Sequence, residues 1–273
     1  MRRLWLAVAV CSATLVVPSA AGAQAPPKGH LLIIGGNGTT EDIVRRAVEA
    51  AGGASGVVAV FPQASELAET GPDAAKMWKE AGIGRQILVD PKKPADALRA
   101  VQEATFIWFP GGDQNRLTKA LDGTGIPEAI RQRYRDGALV GGTSAGAAVM
   151  SKVMITGEAD LQSITAAKTE TAPGLNLWPE VIVDQHFLKR QRDNRLISAV
   201  LDHPDLVGVG IDETTAVFVT GAEFEVLGKN SVVVIDARRG AVDRTPAGQL
   251  ATGRGLRLSV LKAGMRFDLK RSY

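Results

Sequence analysis

The sequence Gly142-Thr143-Ser144-Ala145-Gly146 places a serine in a glycine-flanked turn. It follows the apolar residues Ala138-Leu139-Val140 and precedes the small-residue run Ala147-Ala148-Val149-Met150. This order predicts a strand, a sharp turn and a helix, an arrangement that exposes a serine side chain as a nucleophile. Glycines suit such a turn because they carry no Cβ atom. The alternative is a plain glycine-rich loop, because a motif of five residues also occurs by chance.

Apolar segments of strand length alternate with amphipathic helical segments before this turn. The alternation predicts a parallel sheet with helices on both faces, and active sites in such sheets lie at the carboxyl ends of the strands. After residue 205, short strands separated by hairpin turns predict an antiparallel C-terminal extension. The predicted strands before the turn are 30–34, 57–61, 86–89 and 105–109, the predicted helices are 41–51, 74–81, 94–101, 114–121 and 127–135, and the later strands are 207–211, 215–219, 224–227, 231–235 and 256–261.

The first 23 residues are typical of a signal peptide. Arg2 and Arg3 precede the mostly apolar stretch 4–18, and Ala21-Gly22-Ala23 matches a cleavage site. We therefore expect cleavage near Ala23 and an exported protein, periplasmic or extracellular. Residues 24–29 are predicted to be a flexible lead-in, and residues 30–273 a single domain.

Cleavage at this site would leave a nearly balanced charge and no cysteine. The chain has 32 Lys and Arg against 29 Asp and Glu, and losing Arg2 and Arg3 reduces the net charge from +3 to +1. This margin is too small to indicate a nucleic-acid partner, and none is expected. Cys11, the single cysteine, lies in the signal peptide, so disulfides and thiol chemistry are excluded from the mature chain. No metal or other cofactor and no membrane span are expected.

A serine nucleophile needs a base and a group that orients the base. The chain has three histidines. His30 begins the first predicted strand, at the wrong end, and His203 lies in a turn that ends a helix. His186 follows the apolar Val181-Ile182-Val183 at the carboxyl end of a strand, and it is the predicted base. The alternative is a structural histidine that caps the next helix.

The orienting acid is expected at another strand end. Asp212 and Glu213 both follow the predicted strand 207–211, and either carboxylate could reach His186, so the pattern leaves this choice open. The chain order is serine, histidine, acid. An α/β-hydrolase has the order serine, acid, histidine, so the serine turn belongs to a different doubly wound sheet.

Two further features lie near the predicted site. The backbone N–H groups of Gly111 and Gly112 could form an oxyanion hole together with that of Ala145, although the same turn also suits a helix capped by Asp113. Lys189, Arg192 and Arg195 are spaced by three and would share one stripe of a helix after His186, either as an anion site or as a solvated face.

The turn Gly35-Gly36-Asn37-Gly38-Thr39-Thr40 superficially matches a dinucleotide-binding loop. Glu41 occupies the third glycine position of that motif, where its charge would face a pyrophosphate. Nucleotide binding is therefore not expected.

Several blocks in one order resemble the cyanophycinase branch of the S51 serine peptidases. The resemblance implies an α/β fold with a doubly wound, mostly parallel sheet, similar to class I glutamine amidotransferases and flavodoxin, in one catalytic domain over residues 30–273. The blocks are Leu31-Leu32-Ile33-Ile34-Gly35-Gly36, Ala64-Ser65-Glu66, Gly111-Gly112-Asp113-Gln114, Gly141-Gly142-Thr143-Ser144-Ala145-Gly146-Ala147, Asp184-Gln185-His186-Phe187 and Gly210-Ile211-Asp212-Glu213-Thr214.

The resemblance also assigns roles to individual residues. It implies Ser144 as nucleophile, His186 as base and Glu213 as acid, which resolves the choice between Glu213 and Asp212. The substrate-binding residues that it implies are Gln114, Asp184, Gln185, Arg190, Arg192 and Arg195.

The implied function is an exported serine peptidase that hydrolyses cyanophycin, a poly-aspartate with arginine on each β-carboxylate, to β-Asp-Arg dipeptides through an acyl-enzyme. A homodimer is also implied. The opening turn 35–40 is longer than the family's usual form, and the segment before Ala172-Pro173-Gly174-Leu175 differs from the better-known members. The alternatives are an aspartyl or isoaspartyl dipeptidase of the same family, and a non-catalytic binding protein on the same fold.

Overall fold

The computed structural model describes residues 26–158, 160 and 162–271, so the predicted signal peptide lies outside the described residues. This part of the chain has sixteen strands and seven α-helices, and none of these helices is long and apolar enough to cross a membrane. In chain order they are β1 His30–Ile34, α1 Glu41–Ala51, β2 Val57–Val60, α2 Thr70–Glu80, β3 Arg85–Leu88, α3 Pro94–Glu103, β4 Phe106–Phe109, α4 Gln114–Leu121, α5 Ile126–Arg135, β5 Leu139–Thr143, α6 Ala145–Ala148, β6 Val153–Ile155, β7 Thr171–Pro173, β8 Val181–Gln185, α7 Asp193–Asp202, β9 Val207–Ile211, β10 Thr215–Thr220, β11 Glu223–Gly228, β12 Val232–Asp236, β13 Ala241–Val242, β14 Gly253–Arg254, β15 Arg257–Leu261 and β16 Arg266–Asp268.

The main sheet has eight strands in the order β16-β11-β10-β1-β5-β4-β2-β3. The strands from β1 to β3 in this order are all parallel, whereas β10 pairs antiparallel with β1 and continues into β11 and β16. The predicted α/β fold, with its mostly parallel sheet and antiparallel C-terminal extension, is confirmed.

Strand β1 shows why the central strands carry apolar residues on both of their faces. Leu31 and Ile33 pack into the core on one face of the sheet, and Leu32 and Ile34 pack into the core on the other. Helices α3, α4 and α5 contribute to the first core, and α1 and α2 to the second. Successive strand residues point to opposite faces, so a strand covered on both faces must be apolar at every position.

A second sheet of four strands, in the order β15-β12-β9-β8, packs on the α3–α5 side of the main sheet. Val183 of β8 and Val209 of β9 share the core of Ile33, while Leu196 and Val200 of α7 cover the opposite face of this sheet. The sequence pattern predicted β8, β9 and β12 as strands. It did not reveal that they leave the main sheet.

Backbone hydrogen bonds join the carboxyl ends of the two sheets. Gly35, just after β1, donates its N–H to Thr215 at 2.9 Å and accepts the N–H of His186 at 2.8 Å. Ser144 donates its N–H to the carbonyl of Ile34 at 3.1 Å. The ends of β1, β5 and β8 therefore lie side by side, although β8 belongs to the second sheet.

The predicted helical stripe of Lys189, Arg192 and Arg195 is wrong. Helix α7 begins only at Asp193, and the residues before it form turns. Gln191 has a φ of 52°, a left-handed conformation that ends a right-handed helix. Lys189 is exposed, whereas Arg192 and Arg195 are buried.

We expect Leu117→Ala to lower the free energy of unfolding by about 2–5 kcal/mol, because Leu117 lies on the buried face of α4 and its truncation leaves a cavity. Urea unfolding followed by circular dichroism measures this change. The control is Leu67→Ala, since Leu67 is 63% exposed and its truncation should change stability little. Equal effects of the two substitutions would contradict the assignment of Leu117 to the core.

Candidate active site

Ser144 occupies the turn between β5 and α6, where the sequence predicts a strand, a turn and a helix. Its φ of 54° and ψ of −115° are unfavourable for a residue with a side chain, so the turn stores backbone strain. The flanking chain segments pass very close together: a Cβ atom at Gly142 would lie 2.3 Å from the carbonyl oxygen of Gly146. The glycines of the pentapeptide thus permit the crossing that exposes Ser144.

Ser144, His186 and Glu213 form one hydrogen-bonded line. The Oγ atom of Ser144 lies 2.9 Å from Nε2 of His186, and Nδ1 of His186 lies 2.7 Å from Oε1 of Glu213. A base within hydrogen-bond distance of a hydroxyl, held in turn by a carboxylate, is the arrangement that activates a serine. The structure brings together the three residues that the resemblance assigns to catalysis.

Burial lowers the pKa of His186 below its usual 6.5, and the positive charges of Arg190 and Arg192 lower it further, while the hydrogen bond that Nδ1 of His186 donates to Glu213 opposes the shift. The hydrogen bond with His186 lowers the pKa of Glu213, and the hydrogen bond from Asn37 and the positive charge of Lys189 act in the same direction. At neutral pH the line therefore holds a neutral imidazole beside an ionised carboxylate, which is the state required of a general base.

The geometry separates the two candidate acids. Glu213 contacts the imidazole, whereas Oδ1 of Asp212 accepts the backbone N–H of Lys189 at 3.1 Å. The sequence reasoning missed a further contact: the side chain of Asn37 donates to Oε2 of Glu213 at 2.9 Å. The length of the opening turn was the available signal, but a local pattern does not show that Asn37 reaches a residue 176 positions away.

The residues predicted to form an oxyanion hole lie around Ser144. A Cβ atom at Gly111 would be 3.9 Å from the Ser144 hydroxyl, so this turn borders Ser144. Gly112 has a positive φ of 141°. The N–H of the next residue, Asp113, donates to the carbonyl of Ala64. Ala145 is the first residue of α6, so its N–H has no acceptor within the helix. Asp113 also caps α4, accepting the N–H of Asn115 at 2.8 Å, as the alternative interpretation of this turn predicts.

The sequence model of Peptidase family S51 matches residues 31–227. The chain belongs to this family. It is 38% identical over 259 residues to a cyanophycinase of Geminocystis herdmanii, covering 89% of this chain and 94% of the relative. It is 40% identical over 256 residues to a cyanophycinase of Trichormus variabilis, covering 89% and 86%. These matches identify the chain as a serine-type peptidase.

Solved structures support the S51 fold. A peptidase from an acI-B1 Actinobacterium has a TM-score of 0.62 at 20% identity, covering 88% of this chain and 96% of that one. A putative peptidase E protein from Listeria monocytogenes has a TM-score of 0.54 at 19% identity, covering 74% and 99%. At these identities the likeness concerns the fold alone.

Of the six residues that the resemblance links to substrate binding, the three that are not arginines all form hydrogen bonds within the protein. The side chain of Gln114 donates to the carbonyl of Ile155 at 2.9 Å, which ties α4 to β6. Asp184 is almost completely buried and accepts Nε of Arg195 at 3.0 Å. Gln185 accepts Nη1 of Arg192 at 3.0 Å through its side chain and at 2.7 Å through its backbone.

The three arginines of this set occupy different environments. Arg192 and Arg195 are only 4% and 5% exposed, and both approach the exposed carboxylate of Glu158, with N–O distances of 2.8 and 3.2 Å. Arg190 lies in the exposed turn after His186. Arg190 is thus the member of the three whose side chain is available at the surface, while the other two form a buried ion network. Their role in substrate binding stays a prediction.

Two cavities, of about 540 and 440 Å³, lie away from Ser144. One is bordered by Leu201 and Pro246, and the other by Tyr134 and Trp178. The hydrogen-bonded line of Ser144 defines the candidate site of this S51 peptidase more directly than these spaces do, because neither contains a nucleophile paired with a base. No cluster of metal-ligating side chains occurs within residues 26–158, 160 and 162–271.

We expect Asp184→Asn to destabilise the protein by about 3–5 kcal/mol, because it removes the carboxylate that neutralises the buried Arg195. Thermal or urea unfolding measures the loss. The matched control is Glu66→Gln, which breaks the ion pair of Glu66 with Arg116, where the Glu66 side chain is 76% exposed. A fully stable Asp184→Asn variant would show that the buried network is dispensable.

Proposed function

We propose that this S51 peptidase is an exported exopeptidase that hydrolyses cyanophycin to β-Asp-Arg dipeptides, with Ser144, His186 and Glu213 as its catalytic triad. The line of hydrogen bonds from Ser144 through His186 to Glu213 carries the proposal. Relatives named cyanophycinase, which match over 89% of the chain, support the substrate. The pattern of residues 1–23 supports export.

The first half of the reaction forms the acyl-enzyme. His186 accepts the hydroxyl proton of Ser144 through Nε2, and Oγ attacks the backbone carbonyl of an aspartyl unit. Glu213 stabilises the imidazolium that results. The developing oxyanion lies among the N–H groups of Gly111, Gly112 and Ala145, which are fixed before the reaction begins.

The second half releases the products. The imidazolium of His186 donates its proton to the leaving amine, so the peptide bond breaks and the acyl group stays on Oγ. Water then attacks the ester with His186 again as the base, and Ser144 regains its proton when the tetrahedral intermediate collapses. No redox step or metal ion is needed for this balance of protons and electrons.

Arg190 suits recognition of the dipeptide unit, because it is exposed and close enough to His186 to lower the pKa of the imidazole. Arginine attached through its α-amino group to a β-carboxylate keeps a free carboxylate, which a guanidinium binds well. In this proposal Arg192 and Arg195 act differently. They hold Asp184 and Gln185 in place behind the base.

We expect Ser144→Ala and His186→Ala each to lower kcat by about 10⁴-fold or more, because each removes a member of a unit that acts together. Release of soluble dipeptide from cyanophycin measures the rate, and circular dichroism checks that the fold is intact. The control is Ser163→Ala, a serine of the same chain outside the line of Ser144. Activity retained in purified Ser144→Ala would refute the proposed triad.

Glu213→Gln should reduce kcat far more than Asp212→Asn, because only Glu213 contacts the imidazole. Both substitutions keep the side-chain shape and remove one negative charge, so they form a matched pair. The comparison is made on kcat with cyanophycin at saturating concentration. The reverse ranking would assign the orienting role to Asp212.

The acid limb of kcat/KM should have its midpoint below pH 6.5, because the base must be neutral and burial lowers the pKa of His186. Protonation of His186 as the pH falls then removes activity. Arg190→Gln should move this limb to higher pH, since it removes a positive charge that disfavours the imidazolium. Arg99→Gln, on the exposed surface of α3, is the control and should leave the limb unchanged.

The substrate is tested by incubating the mature protein with cyanophycin and identifying the products by mass. β-Asp-Arg dipeptides as the main product support the proposal. Release of free aspartate from aspartyl dipeptides, with cyanophycin untouched, would instead indicate the dipeptidase alternative. Failure of a fluorophosphonate probe to label Ser144 would support the non-catalytic alternative.

A further inference from the structure

The carboxylate of Glu213 is held at both of its oxygens. Oε1 lies 2.7 Å from Nδ1 of His186, and Oε2 accepts the side-chain amide of Asn37 at 2.9 Å. The terminal torsion of a glutamate is soft and roughly two-fold, so a single hydrogen bond leaves the plane of the carboxylate poorly fixed. The second hydrogen bond, from Asn37, removes this rotation.

The turn that carries Asn37 is itself attached to both His186 and Glu213. The carbonyl of Gly35 accepts the N–H of His186, and the carbonyl of Gly36 accepts the N–H of Thr214, each at 2.8 Å. The imidazole lies directly over Gly36, where a Cβ atom would be 2.3 Å from Cε1 of the ring. Asn37 therefore approaches Glu213 from a support that also fixes the position of the base.

The backbone of Glu213 has its own set of donors. Its carbonyl accepts the side chains of Thr214 at 2.7 Å, Thr215 at 3.0 Å and Asn230 at 2.8 Å. These contacts fix the main chain between β9 and β10. The orientation of the carboxylate is left to the two side chains that touch it, His186 and Asn37.

The exposure and the backbone conformation of residue 37 do not by themselves require an asparagine. The residue is exposed, and its φ of 53° lies in the left-handed region, which asparagine, aspartate and glycine tolerate. Glycine would meet this backbone requirement equally well. What glycine lacks is the amide that reaches Oε2 of Glu213.

We propose that Asn37 is a positioning residue, which holds the Glu213 carboxylate so that Oε1 faces Nδ1 of His186 throughout the reaction. This inference rests on the proposed triad and assigns a role to the opening turn 35–40. The charged groups around the pair are Lys189 beside Glu213 and Arg190 and Arg192 beside His186. The amide of Asn37 is neutral and adds no net charge to this set.

Two substitutions at Asn37 test the role without disturbing the left-handed backbone. Asn37→Gly removes the amide, and we expect kcat to fall about 10- to 100-fold with KM nearly unchanged, because misplacement of a catalytic group affects the chemical step. Asn37→Asp keeps the shape but places a second carboxylate beside Glu213. It should raise the pKa of His186 and move the acid limb of kcat/KM to higher pH.

Asn176 provides matched controls, because it is also an exposed asparagine and its φ is 54°. It borders the cavity of Tyr134 and Trp178, which lies away from Ser144. Asn176→Gly and Asn176→Asp change the same groups in the same backbone conformation. They should leave kcat, KM and the pH profile unchanged.

Two readouts do not depend on the identity of the substrate. NMR titration of the imidazoles gives the pKa of His186, which is assigned among three histidines by the His186→Ala variant. The rate of Ser144 labelling by a fluorophosphonate should fall in both Asn37 variants. If wild-type Ser144 is labelled but cyanophycin is untouched, the substrate proposal fails while the test of Asn37 proceeds.

Reduced labelling in both Asn37 variants, together with a raised His186 pKa in Asn37→Asp alone, would support the positioning role. Wild-type labelling rates in Asn37→Gly would overturn it. So would equal losses in the Asn37 and Asn176 variants, because a general effect of loop substitution would then explain the data. Melting temperatures of all four variants show whether any loss follows from unfolding.

Discussion

The hydrogen bond from the N–H of His186 to the carbonyl of Gly35 links the ends of two sheets, and the candidate site depends on it. Ser144 extends from the eight-stranded sheet, whereas His186 and Glu213 follow strands of the four-stranded sheet. Ser144 and His186 are therefore carried by separate layers, and this hydrogen bond helps to hold the two layers together at the site. The short distance between Ser144 and His186 is thus a property of tertiary packing and not of either strand.

The backbone N–H and the backbone carbonyl of Gly35 both form hydrogen bonds. Its N–H pairs with Thr215 of β10, and its carbonyl takes the N–H of His186. A side chain at this position would meet the carbonyl oxygen of Asp212 at 2.1 Å. The glycine at the start of this turn therefore allows two backbone segments to pack closely. This requirement differs from phosphate binding, so the turn need not follow the dinucleotide-binding pattern.

Local signals in the sequence were sufficient for the fold class, and they selected Ser144 and His186, which the structure places 2.9 Å apart. The alternation of strands and helices is a short-range pattern, and a glycine-flanked serine at a strand end specifies its own turn. The pattern could not choose between Asp212 and Glu213, because adjacent residues point in opposite directions and only the path of the chain between the sheets decides which one faces the base. The resemblance named Glu213, and the distances agree with it.

The arginines and Asn37 show where local reasoning ends. Spacing by three suggested a helical stripe, but the backbone at Gln191 is left-handed and α7 begins only at Asp193. Arg192 and Arg195 instead turn inward, where they pair with Glu158 after β6 and with Asp184 in β8. Asn37 is separated from Glu213 by 176 residues. Contacts of this kind depend on how the two sheets meet, and no short-range pattern encodes them.

The positive φ angles of Ser144, His186 and Thr214 have a consequence for protein engineering. Each of these residues holds a backbone conformation that glycine adopts more easily, at a cost of about 1–3 kcal/mol for a strained residue. Selection of variants for heat resistance alone would favour relaxed backbone at these three positions, which carry or adjoin the reacting groups. Thermostability and turnover would then be selected in opposite directions, so a library designed for a more durable enzyme must keep these three positions fixed.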